Sequence, residues 1–134
     1  MAHPFFHARS SAKKYGGTPA DYLPIHNWFD ESKAHIADVR HRALRHHSEG
    51  IFLCEKLFGV TIINSDGRSV PVRFIGEQHV LEDLGRIPSV SDWLSEMPMK
   101  PWMGPRSRLE FTVEDDLPGN ADVGSGSEGA DERP

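Results

Sequence analysis

The last 22 residues, VEDDLPGNADVGSGSEGADERP, set the tightest bound on what this chain can fold into. They are rich in Asp, Glu, Gly and Ser and almost free of large apolar side chains. Such a segment cannot bury enough surface to offset the entropy lost on ordering. The core must therefore come from roughly the first 100 residues, which is enough for one domain and too little for two. The expected organisation is a single His-rich helical domain over 1–100 and a disordered acidic tail over 101–134.

Charge follows the same division. Residues 1–103 hold 12 Lys/Arg and 12 Asp/Glu, whereas residues 104–134 hold 3 and 8, so the net charge of −5 sits in the tail. The neutral front part has no basic stripe able to track phosphates, which argues against general nucleic-acid binding. The single cysteine, Cys54, excludes an internal disulfide framework and a Cys-rich zinc finger, and its place in an apolar stripe suits a core residue. No apolar run approaches a membrane span and no secretory leader pattern opens the chain, so the expected location is cytoplasmic.

Punctuation by Pro and Gly gives the element map. Residues 3–14 read as a helix that starts at Pro4 and stops at Gly16-Gly17. Thr18-Pro19-Ala20-Asp21 reads as a capping box opening a short helical turn that Pro24 interrupts, followed by an apolar connector that buries Trp28 and Phe29. From Asp30 or Ser32 to Phe58, Ile36, Val39, Ala43, His47, Gly50, Cys54 and Leu57 recur at three- and four-residue steps. That stripe predicts one long central helix. VTIIN and SVPVRF around Ser65-Asp66-Gly67-Arg68 predict a hairpin, with Pro71 at an edge or bulge. Residues 76–84 predict a helix stopped by Gly85, and SDWLSEM predicts a shorter one. The fold class is mainly α (α+β), a small helical domain around one long central helix with a single β-hairpin.

All eight histidines lie between His3 and His79. Histidine ionises near neutrality and is the commonest metal ligand, so their positions matter more than their number. His3 and His7 stand four apart, with Cβ atoms about 6 Å from each other on one helix face. On the long helix, His47 falls about 40° from the stripe centre and His46 about 60° on the other side. Both border the buried face, whereas His41 points away from it and His35 lies toward an edge. A buried imidazole must satisfy both nitrogens with a carboxylate, a carbonyl, a water or a metal. His79 and Asp83, four apart with Glu77 nearby, can share a helix face, and His26 sits among the buried residues of the connector.

DYLPIHNWFDESKA, HRALRHHSEGIF, NSDGR-VPVR and GEQHVLEDLGRIPS-DWL resemble a family of short bacterial and phage proteins of unassigned function. RHHSEGIF and GEQHVLEDLG are the most distinctive of these strings. The resemblance implies that residues 3–95 form one unit and that His26, His46, His47, His79 and Asp83 lie in its shared strings. It implies no activity.

The functional expectation is a small cytoplasmic protein holding a divalent metal through His7, His26, His46, His47, His79 and Asp83. Zinc is the first choice, with iron, nickel and manganese open. A metal-bound water could serve hydrolysis of a small phosphorylated molecule, with Glu49 or Glu77 as general base. There is no HExxH, no adjacent His-Asp pair and no P-loop or dinucleotide glycine pattern. The alternative is a non-enzymatic interaction or regulatory module, phage-linked, with structural histidines. The long helix would also suit a homodimer seam, and MKPWMGPRSRLEF a short docking motif.

Overall fold

The computed structural model of the protein describes residues 3–106. The described residues divide into two units, one up to residue 97 and one from residue 98. The first contains α1 (Pro4–Tyr15), α2 (Pro19–Asp30), two 3-10 segments (Glu31–Ala34 and Val39–Leu44), α3 (Ser48–Phe58), β1 (Thr61–Ile63), β2 (Ser69–Pro71), α4 (Val72–Leu84) and α5 (Val90–Leu94). In the second, a 3-10 turn occupies Pro101–Met103, and Trp102 is exposed. From residue 107 on, the expected disordered tail lies outside the described residues, as does Phe111 of the expected docking motif. Among the described residues no helix is long and apolar enough to cross a membrane.

The mainly helical architecture with one hairpin is present, and local chemistry explains most of its boundaries. His3 caps α1, its Nδ1 accepting the Phe5 N–H at 3.1 Å, and Gly16 ends the helix at φ +88°. Asp21 accepts the Thr18 N–H at 2.8 Å at the start of α2. That helix does not stop at Pro24 but continues to Asp30. Proline inside a helix costs about 3 kcal/mol, and burial of Tyr22, Ile25, Trp28 and Phe29 offsets it at about 1.5–3 kcal/mol each.

The long central helix is the main correction. Residues 31–47 form two 3-10 segments joined by turns, and only Ser48–Phe58 is α-helical. The chain before α3 folds back over its first turn, so closely that a Cβ on Gly50 would lie 1.9 Å from the Arg45 carbonyl oxygen. Polar side chains stabilise this path: Asp38 accepts the Arg40 N–H at 2.8 Å, and His47 Nδ1 accepts the Gly50 N–H at 2.8 Å. The apparent stripe also contained too little apolar mass to bury. Val39 is 56% and Leu57 62% exposed, whereas His41, expected to point outward, is fully buried.

β1 and β2 pair antiparallel in the register Thr61↔Pro71, Ile62↔Val70, Ile63↔Ser69. Asn64 anchors the turn, its Oδ1 accepting the N–H groups of Asp66 and Arg68 while its Nδ2 donates to the Tyr15 carbonyl and the Tyr22 hydroxyl. Pro71 sits opposite Thr61, the Val72 N–H still donates to the Val60 carbonyl at 2.9 Å, and α4 starts at Val72 rather than at residue 76. Gly76 lets α4 approach α2, since a Cβ there would meet Phe29 Cζ at 3.1 Å. This contact sets the distance between the two helices that carry the polar cluster.

Among the described residues, eleven apolar and eleven polar or charged side chains are buried. The apolar half gathers around Phe29, Ile75 and Val80. Phe29 marks the border, its ring stacking on His79 at 4.8 Å and meeting His46 edge-on at 5.7 Å. So large a polar share in a small core requires specific pairing, because each unmatched buried polar group costs about 1–3 kcal/mol.

Candidate metal centre

Helical spacing brings the polar half together. On α4, Gly76, His79 and Asp83 follow at three- and four-residue steps, so the face that approaches α2 also carries an imidazole and a carboxylate. On α2, His26 and Asp30 are four apart, with Asp30 at the helix end. On α1, His7 and Ser11 repeat the same step. The turn between the second 3-10 segment and α3 supplies His46.

Asp30, His46, His79 and Asp83 each present a ligand atom, and these four atoms lie within 4.8 Å of one another. His46 Nε2 is 3.0 Å from Asp83 Oδ2 and 3.6 Å from Asp30 Oδ1. His79 Nε2 is 3.3 Å from Asp83 Oδ2 and 3.4 Å from Asp30 Oδ1. All four side chains are between 0% and 4% exposed. Neither Asp30 oxygen has a hydrogen-bond donor, nor does His79 Nε2 have a partner. A buried cluster of two carboxylates and two imidazoles with unmatched atoms facing inward is able to hold a metal ion.

Around it lies a second layer. His7 Nε2 is 3.2 Å from Asp83 Oδ1, and its Nδ1 is 2.7 Å from Glu82 Oε1. Arg42 Nη2 stands 3.6 Å from the same Asp83 oxygen. His26 Nδ1 is 2.9 Å from His79 Nδ1, and its Nε2 is 2.8 Å from Ser11 Oγ. Ser11 and Glu82 both touch Gln78.

Electrostatics prepares the donors. Burial opposes the charge of Asp83, yet the imidazoles of His46, His7 and His79 hold its carboxyl far below the usual carboxylate range. Burial likewise opposes ionisation of Asp30, and contact with His79 and the charge of His46 outweigh it, leaving a lowered pKa. Burial lowers His46 despite its bond to Asp83, so this ring is neutral at pH 7 and has a lone pair to give. Burial and the neighbouring His79 and His7 push His26 down to about 2. His7 goes the other way: burial lowers it, but Asp83 and Glu82 prevail and its pKa is raised.

Of the residues singled out from sequence, His46, His79 and Asp83 meet at the centre, His7 lies on the far oxygen of Asp83, and His26 stands behind His79. His47 is elsewhere, as the buried N-cap of α3. His3 is exposed and caps α1, so it does not share a site with His7. Glu49 is exposed, accepting the Val90 N–H at 2.9 Å, and Glu77 is half-buried near Tyr15. The carboxylates at the cluster are Asp30, Asp83 and Glu82. Asp30 was legible only as the residue four after His26, and it was read instead as a helix start. Cys54 is fully buried in the apolar core, where burial pushes its thiol up to about 12.

No curated protein and no solved structure matches the chain. A family model described as a domain of unknown function, DUF6915, matches residues 2–103. The span takes in the cluster residues of all three helices and of the turn before α3, and the chain belongs to this DUF6915 family.

Proposed function

We propose that this protein binds one divalent transition ion between Asp30, His46, His79 and Asp83, with zinc as the preferred metal. The observation that carries the reading is Asp30, a buried carboxylate with both oxygens unmatched and two imidazole Nε2 atoms within 3.6 Å of Oδ1. The spacing supports zinc. Bonds of about 2.0–2.1 Å in a tetrahedral site imply ligand–ligand edges of about 3.3 Å. The four nitrogen–oxygen edges here measure 3.0, 3.3, 3.4 and 3.6 Å. His7 and Arg42, on the outer oxygen of Asp83, orient that ligand.

The four donors are buried and would supply four ligands, which favours an ion that holds α2, α4 and the turn before α3 together over one that offers a coordination site to substrate. Hydrolysis of a phosphorylated molecule would require an open position on the ion and a base beside it, and neither Glu49 nor Glu77 stands there. Isothermal titration of chelator-treated protein with zinc, alongside Asp30→Asn, tests the reading. Wild type is expected to bind and the variant to lose binding while staying folded. A folded wild type that takes up no zinc, iron or manganese contradicts it.

A further inference from the structure

The hydrogen bonds behind His79 fix which nitrogen of His26 carries the proton. Gln78 Nε2 lies 3.1 Å from the His7 carbonyl oxygen and 3.1 Å from Glu82 Oε2. Both are acceptors, so the amide nitrogen faces them and the amide oxygen faces Ser11. Ser11 Oγ is 2.7 Å from Gln78 Oε1, 2.8 Å from His26 Nε2 and 3.2 Å from the His7 carbonyl oxygen. Both oxygens can only accept, so the single hydroxyl proton goes to the closer one, on Gln78, and His26 Nε2 must donate to Ser11. His26 is fully buried and, among the described residues, no carboxylate stands within ion-pair distance of it to support a second proton, so its one N–H is spent there and its Nδ1 is bare. The 2.9 Å contact between that Nδ1 and His79 Nδ1 then takes its proton from His79.

The opposite assignment fails at a definite place. A proton on His26 Nδ1 would leave Nε2 bare and draw the Ser11 proton onto it. The oxygens of Ser11 and Gln78 would then stand 2.7 Å apart with no hydrogen between them. Ser11 and Gln78 are 0% and 4% exposed, so such a mismatch would be buried.

We propose that Gln78, Ser11 and His26 form a proton-ordered relay that fixes His79 with its proton on Nδ1, aiming the Nε2 lone pair at a divalent cation between Asp30 and Asp83. The proposal rests on the metal-binding reading and makes the three relay members positioning residues. The relay holds the His79 ring in place without the ion, so the orientation of the ligand is set before the ion arrives.

Ring-nitrogen NMR of the nitrogen-15-labelled full chain, freed of metal by chelation, reads the tautomers directly. The relay predicts a proton on Nδ1 of His79 and on Nε2 alone of His26. A proton on His26 Nδ1 overturns it. Ser11→Ala removes both the donor to Gln78 and the acceptor for His26. With thermal unfolding in chelator confirming the fold, its zinc affinity should fall about 10- to 100-fold, and the His79 tautomers should mix. Tyr22→Phe loses different hydrogen bonds, to the Gly16 carbonyl and from Asn64 Nδ2, and should keep wild-type zinc affinity. Wild-type affinity together with unchanged tautomers in Ser11→Ala overturns the relay. A wild type that binds no zinc removes the metal reading instead, and the tautomers of His26 and His79 still decide the relay.

Discussion

Asp30 and His79 meet at 3.4 Å across the α2–α4 interface, and neither Asp30 Oδ1 nor His79 Nε2 has a hydrogen-bond partner there. Both are buried, and a shared cation would satisfy both. Gly76 makes the meeting possible, since any larger residue would push Phe29 and the end of α2 away from α4.

Asp30→Asn separates the stability of this arrangement from its use. It removes a buried carboxylate whose charged form is favoured by contact with His79 and His46, so the chelated variant should be somewhat less stable than wild type. The gain on adding metal, about 2.7 kcal/mol at a hundredfold excess over Kd, should vanish. Thermal unfolding with and without zinc checks both halves, and a metal-induced gain retained by the variant counts against Asp30 as a ligand.

His47 and His79 should part company under the same assay. His79→Ala is expected to lose the ion. His47→Ala removes only a helix cap, costing about 1 kcal/mol, and should keep the ion. Equal loss of metal in both variants would return His47 to the site.

Acid should destabilise the metal-free protein in the range below pH 6.5. Burial first, and neighbouring cations in part, lower the pKa values of His26, His41, His46 and His47, so these rings take up protons on unfolding. Their contribution is present above the unfolded value and fades as pH falls. His7 has the opposite sign: its raised pKa stabilises the fold at low pH and that contribution is lost as pH rises through the folded value. Below pH 6.5 His7 is protonated in both states, so the four lowered rings give a net uptake of up to about four protons there. The lowered carboxyls of Asp30 and Asp83 extend the loss below their unfolded range. Urea unfolding in chelator from pH 7.5 to 4.5 should show falling midpoints, and a flat profile contradicts the assignment.

Gly50→Ala tests the backbone crossing that delivers His46. The added Cβ would meet Arg45 O at 1.9 Å, and relief of that overlap must move the turn. A destabilisation of about 3 kcal/mol is expected, with weakened zinc binding. Wild-type stability would mean that the turn before α3 is looser than described.

What could be read from sequence was whatever depends on local spacing. Pro4, Thr18-Pro19, Asp66-Gly67 and Gly85 mark real boundaries because caps and turns are decided within a few residues. The pairing of His79 with Asp83 follows from one helical step and was legible. The path from Glu31 to His47 was not, because its helical spacing counted His47 and Gly50 as part of an apolar face when one is a cap and the other a crossing point. Asp30 and Ser11 acquire their roles only when α2 meets α4 and α1, and no local pattern encodes that meeting.

Elemental mass spectrometry of untagged protein, purified without chelator or a nickel column, tests the central claim most directly. The account predicts about one equivalent of zinc per chain, reduced to background in both Asp30→Asn and His79→Ala. A wild type that is folded, metal-free and unable to take up added zinc, iron or manganese would contradict it and leave the cluster as a purely hydrogen-bonded core.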